Sequence, residues 1–148
     1  PFINYDVSLP LSTITTGHRG VSRSMLQESA FSPPQLILTL VSARIPCVIR
    51  VAASNGHYVT IHDVFTTLYT ILRINVTLEE YKAAGDRTRR MVCEAYRQRY
   101  RLLIGGDYVA EKSKGIKRVD FLMGKTVLLG VSPCMGEPGV WRLKTRYP

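Results

Sequence analysis

The sequence predicts a single α+β domain, a mainly antiparallel sheet of about five strands with two to three helices packed on one face. Three observations carry this prediction. Short β-rich runs stand at residues 35–41 (QLILTLV) and 47–52 (CVIRVA). Capped segments with apolar residues at helical spacing follow them. Period-two alternation then returns near the C-terminus, where Trp141 and Leu143 alternate with Arg142, Lys144 and Arg146. A length of 148 residues, with 45% hydrophobic and 21% charged content, fits one globular domain with a sizeable core. The reading divides the chain into an extended arm and mobile loop over residues 1–34 and a compact core over residues 35–148.

The arm is FINYDVSL, and the loop is the Ser-, Thr-, Gly- and Pro-rich stretch 12–34, with one helical turn expected within 22–31. Pro34, Pro46 and Ser54 bracket the first two strands. Asn55-Gly56 supplies the positive-φ dipeptide of a tight turn, which predicts a hairpin pairing 47–52 with 58–60. Thr60 and Asp63 have the spacing of a helix N-cap and its third helical residue. Ile61, Val64, Phe65, Leu68, Ile71 and Leu72 then form one apolar helical face. Thr77 and Glu80 repeat the capping pattern and open a short helix that Gly85 ends. Asp86 is expected to cap a third helix with Thr88, Met91, Val92, Ala95, Tyr96, Tyr100 and Leu103 facing inward and Gly105-Gly106 as its stop.

Three more strands are expected at 117–123, 126–131 and 140–146. In the first, Val119, Phe121 and Met123 alternate with Arg118 and Asp120, the pattern of a strand with one wet face. TVLLGV is apolar on both faces and reads as central. In the last, Trp141 should be buried against the helix face carrying Val64, Phe65 and Leu68, with Arg142 exposed.

The succession INYDVSLPLSTI, IPCVIRVAASNGHYVTIHDVFTTLYTIL, GIKRVDFLMGKTVLLGVS and VWRL resembles a domain family of mushroom-forming fungi (basidiomycetes) with no assigned function. The likeness spans nearly the whole chain apart from residues 15–34. Its most specific stretches are 59–72, with a T-x-x-D-V core, and 115–124. Pro46-Cys47 stands where the family pattern has a Pro-Trp pair, so a pocket lined by that Trp would differ here. The resemblance implies one domain and carries over no catalytic residues.

The chemistry-bearing residues read mostly as structural. Cys47, Cys93 and Cys134 are odd in number, far apart and form no C-x-x-C pair, which points to a reduced protein of the cytoplasm or nucleus. No apolar run has the roughly 20 residues of a membrane helix, and PFINYDVSLP shows no secretory signal. Asn75-Val76-Thr77 matches a glycosylation acceptor, but Thr77 is better explained as a helix cap. The three histidines lack metal-ligand spacing, GGDY lacks the Lys-Ser/Thr of a phosphate loop, and GVSPC is no nucleophile elbow. A hydrolase built on Cys134 would need a histidine brought beside it. No cofactor and no metal are expected.

The net charge of +9, from 20 basic and 11 acidic residues, is the compositional oddity. Arg87, Arg90, Arg97 and Arg101 fall along the third helix, and Lys117 and Arg118 lie beyond it, so these six are the candidate anion-binding residues. Glu94 can pair with Arg90 and Arg97, which makes a solvated ion-paired face the competing explanation. The leading expectation is a non-enzymatic domain that binds a protein or peptide partner through a sheet edge, the loop or the arm. The alternative is nucleic-acid or anionic-lipid binding through the Arg-rich helix.

Overall fold

The computed structural model describes residues 2–102 and 106–148. It is α+β and builds two sheets. The N-terminal segment carries β1 (Ile3–Asn4), a 3-10 turn at Leu11–Thr13, β2 (Thr15–Thr16), β3 (Arg19–Gly20) and α1 (Arg23–Leu26). Next come β4 (Ile37–Val41), β5 (Ile49–Ala52), α2 (Ile61–Leu72), α3 (Leu78–Ala83), α4 (Gly85–Arg101) and α5 (Tyr108–Ser113). A second 3-10 turn at Arg118–Leu122, β6 (Val127–Pro133) and β7 (Val140–Arg146) complete the chain.

The first three strands form a small antiparallel sheet. The main sheet has four strands in the order β5-β4-β7-β6, with β4 and β7 parallel and the other pairs antiparallel. The expected sheet of about five, mainly antiparallel strands is therefore corrected to a mixed four-stranded sheet beside a second small one. The expected two to three helices become five among the described residues, and α4 packs on the second 3-10 turn rather than on the sheet.

The missing strand is 117–123, and charge burial explains it. Val119, Asp120, Phe121 and Leu122 are all buried, so no wet face exists for alternating residues to use. Asp120 accepts the Lys117 N–H at 2.8 Å and two bonds from the Arg99 guanidinium at 2.8 and 3.0 Å. The carboxylate closes a tight turn onto α4, and Met123 (φ 53) with Gly124 (φ 82) releases the chain toward β6. The Asn55-Gly56 turn forms, with Gly56 at φ 73, but it makes no hairpin. Asn55 Oδ1 accepts the N–H groups of His57 and Tyr58, and Val59 donates to Gln35 O. The chain is thereby aimed into α2.

Helix α2 forms as its sequence dictates. Thr60 Oγ1 accepts the Asp63 N–H at 3.0 Å, and Asp63 Oδ2 accepts the Thr60 N–H at 2.9 Å, which satisfies two orphan donors. Burial by itself would raise the Asp63 pKa, but hydrogen bonds from Ser54 and Thr60 outweigh it and hold the carboxyl below its ordinary value. Val64, Phe65, Leu68 and Leu72 pack with Leu38, Leu40, Ile49 and Val51 in the core. Thr77 and Glu80 build the second capping box, at 3.1 and 3.2 Å.

The core is not confined to residues 35–148. Tyr5, Val7 and Ile14 belong to it, and Tyr5 lies 5.2 Å from Phe65 between ring centroids. The Tyr5 carbonyl accepts from Leu128 and the Val7 N–H donates to Thr126, so the arm lines the β6 edge. Arg73 donates to Ser8 O at 2.9 Å and lies over the Tyr69 ring at 3.4 Å, clamping the arm to the end of α2.

Three finer expectations are corrected. Trp141 is half-buried and meets Phe31, at 4.6 Å between centroids, rather than being fully buried against α2. Phe31 comes from the segment read as a loop. Met91 is 41% exposed instead of inward, because it sits at the margin of the α4 face whose centre is Val92. Asp86 pairs with Arg89 and caps nothing, so α4 starts at Gly85 without a side-chain cap. The expected inward Leu103 and the Gly105 of the helix stop lie outside the described residues.

Candidate functional site

Four of the six candidate anion-binding residues share one surface. Arg87, Arg90, Arg97 and Arg101 are all exposed on α4. At 100° per residue they fall within one narrow stripe, about 20 Å long at the helical rise. Two acids accompany them. Glu94 lies on the stripe and reaches Arg97 at 3.5 Å, and Asp86 pairs with Arg89 beside it.

Lys117 and Arg118 are not part of this surface. Lys117 Nζ donates to Glu111 at 3.0 Å and Arg118 donates to Glu80 at 2.7 Å, and each side chain is mostly covered. Glu111 also takes Arg99 at 2.6 Å and Lys114 at 3.2 Å. Burial opposes ionisation of Glu111, yet the hydrogen bonds and charges of Lys117 and Lys114 bring its pKa down to about 2. The hydrogen bond from Arg118 likewise lowers that of Glu80. These pairs join α3, α4, α5 and the second 3-10 turn, so both cations are spent inside the molecule.

A second charged surface was legible only as a strand pattern. In-register neighbours point to the same side of a sheet. The core side is set by Leu38 opposite Val51, Leu40 opposite both Ile49 and Trp141, and by Leu143. The outer side therefore carries the intervening positions. Arg50 stands across from Thr39, Thr39 across from Val140, Val41 across from Arg142, and Gly130 across from Lys144. Arg50, Arg142, Lys144 and Arg146 are exposed, and none of them pairs with an acid among the described residues.

Aliphatic residues share this face. Ile37 is 60% exposed in β4, and Val48, just before β5, is 58% exposed. The helix packed on this sheet, α2, sits on the core side. The sequence signals were the basic alternation in 140–146 and the single Arg of CVIRVA. What placed Arg50 beside the β7 stripe was the parallel pairing of β4 with β7.

The cysteines and histidines do not assemble. Cys134 sits in the β6–β7 connection, where its N–H donates to Val140. Cys93 lies 3.3 Å from the Tyr81 hydroxyl, and burial raises the pKa of the half-buried Cys47. His62 contacts Thr66 at 3.5 Å. No group of three or more His, Cys, Asp or Glu among the described residues is arranged to hold a metal ion. No helix among them is long and apolar enough to cross a membrane.

Residues 3–139 match a family described as a family of unknown function, DUF6699. The chain belongs to this family. The DUF6699 match runs through residues 15–34, the stretch that the sequence resemblance had left out, in keeping with the packing of Leu26 and Phe31 against the core. It also includes both strands β4 and β5 and ends at Gly139, just before β7. No curated protein and no solved structure matches the chain.

Proposed function

We propose that the domain is a protein-interaction module that binds an acidic, partly aliphatic segment of a partner protein across the outer face of its four-stranded sheet. The observation supporting this reading is the set of exposed cations Arg50, Arg142, Lys144 and Arg146 on the outer face, without an acidic partner among the described residues, beside the exposed Ile37 and Val48. Unpaired charge on a surface favours a complementary partner and speeds encounter. The exposed aliphatics select the class of partner. They gain from contact with apolar side chains and offer no π-face for stacking bases, the usual device of single-strand nucleic-acid platforms.

The test is titration of a fluorescent peptide of alternating Glu and Leu with the wild-type chain and with Arg142→Gln/Lys144→Gln and Ile37→Ser/Val48→Ser. Affinity should fall about tenfold or more in each double variant, and more salt should weaken wild-type binding. Equal binding by all three proteins would overturn the reading.

A second reading rests on the α4 stripe, whose Arg87, Arg90, Arg97 and Arg101 are exposed together. It is contact with nucleic acid or anionic lipid. Here affinity for duplex DNA should fall with log salt by about 0.9 per phosphate neutralised, and substitution of the four arginines by Gln should remove that dependence.

A further inference from the structure

A notch of about 670 Å³ opens between α3 and α4, lined by Tyr81, Asp86, Arg89, Arg90, Cys93 and Arg97. We propose that it binds the phosphomonoester group of a small molecule. The inference is independent of the outer sheet face, because none of these residues lies on the sheet.

Helical spacing builds the notch. Residues 86, 89/90, 93 and 97 recur every three to four positions and line one side of α4, and Tyr81 of α3 closes the opposite wall. The lining contains no aliphatic side chain, and its polar groups are the Asp86 carboxylate, three guanidiniums and the Tyr81 hydroxyl. Three guanidiniums and one phenol supply hydrogen-bond donors.

The charges are only partly committed. Arg90 has no acidic partner among the described residues. Arg97 reaches Glu94 at 3.5 Å with both side chains about half exposed, so that pair is weak. Arg89 pairs with Asp86, whose side chain is 86% exposed. Tyr81 adds a hydroxyl whose only hydrogen-bond partner among the described residues, at 3.3 Å, is the Cys93 sulfur.

A phosphomonoester suits this set. It presents three strong acceptor oxygens and a charge near −2, which two guanidinium forks can take in bidentate fashion. Polyanion contact would use the whole α4 stripe, whereas a single phosphoryl group needs only Arg90 and Arg97, where it would displace Glu94 from its weak pair with Arg97.

Calorimetric titration of the full chain with phenyl phosphate at low salt tests this, with benzyl alcohol as the uncharged control and a 20-base-pair duplex as the polyanion control. Arg90→Gln and Arg97→Gln, both exposed and checked for folding by circular dichroism, should each weaken phenyl phosphate binding about tenfold. Arg142→Gln should change it less than twofold. Affinity should also drop as pH falls below about 6, where a phosphomonoester loses its second charge. Absent binding of phenyl phosphate, unchanged binding by Arg90→Gln and Arg97→Gln, or tighter binding of the duplex would overturn the proposal.

Discussion

Glu111 is the residue on which most charge converges, with Arg99, Lys114 and Lys117 all within 3.2 Å. Its folded pKa of about 2 lies below the ordinary 4.5. A depressed carboxylate contributes stability that is fully present above its unfolded pKa and disappears as pH falls through the folded value. The loss therefore belongs between about pH 4.5 and pH 2, and the lowered Glu80 and Asp63 act in the same direction. Thermal melts at pH 7, 4.5, 3 and 2 should show a falling midpoint across that window. Glu111→Gln should cost about 1.5–3 kcal/mol at pH 7 and flatten the acid dependence. An unchanged midpoint in that variant would mean that solvent already screens the cluster.

Trp141 carries a second prediction at this scale. Because it is half-buried on Phe31, Trp141→Ala should cost about 2 kcal/mol, below the 3–5 kcal/mol of a fully buried aromatic. Phe31→Ala should be non-additive with it by about 0.5–1.5 kcal/mol in a double-mutant cycle. Additive costs would show that the ring contact carries no energy of its own.

Among elements, the two capping boxes allow a direct comparison. The Thr60 box is buried at the start of α2, which supplies a main face of the core, while the Thr77 box opens a short helix without buried residues. Thr60→Ala should cost about 2 kcal/mol and Thr77→Ala about 0.5–1 kcal/mol, read from chemical denaturation midpoints. The reverse order would contradict the assignment of α2 to the core. Both boxes were legible in sequence because capping is local, a matter of one hydroxyl and one carboxylate three residues apart. The segment at 117–123 was not legible, because Val119, Phe121 and Met123 alternate like a strand until Arg99 arrives from α4 to pair with Asp120. The Tyr58–Thr60 strand failed for a similar reason, since the partner of Val59 is Gln35 rather than β5.

At the scale of the whole molecule, the N-terminal segment is a structural part of the core. Deleting residues 1–14 removes Tyr5, Val7 and Ile14 and the groups held by Arg73. Three buried side chains at about 1.5–3 kcal/mol each compare with a net stability of about 5–15 kcal/mol for a domain. The shortened chain should lose its cooperative thermal transition by circular dichroism. Retention of the full-length midpoint would return the segment to the status of an appended arm. The same long-range packing decides what remains for binding. With the arm and Phe31 turned inward, the binding readings proposed above rest on the outer sheet face and the α4 surface.

By itself, the sequence determined the α+β class, the helices α2 and α3 with their capping boxes, the helical course of α4, the strands at 140–146 and 126–131, and the stripe of Arg90, Arg97 and Arg101. All of these depend on spacing within a few residues, which the local order of side chains encodes. The tertiary structure alone decided the pairing of β4 with β7 and the packing of Tyr5, Val7, Ile14 and Phe31 in or against the core. It also consumed Lys117 and Arg118 in ion pairs with Glu111 and Glu80. Each of these joins groups far apart in the chain, and their stability comes from burial and charge pairing that exist only once the chain has closed on itself.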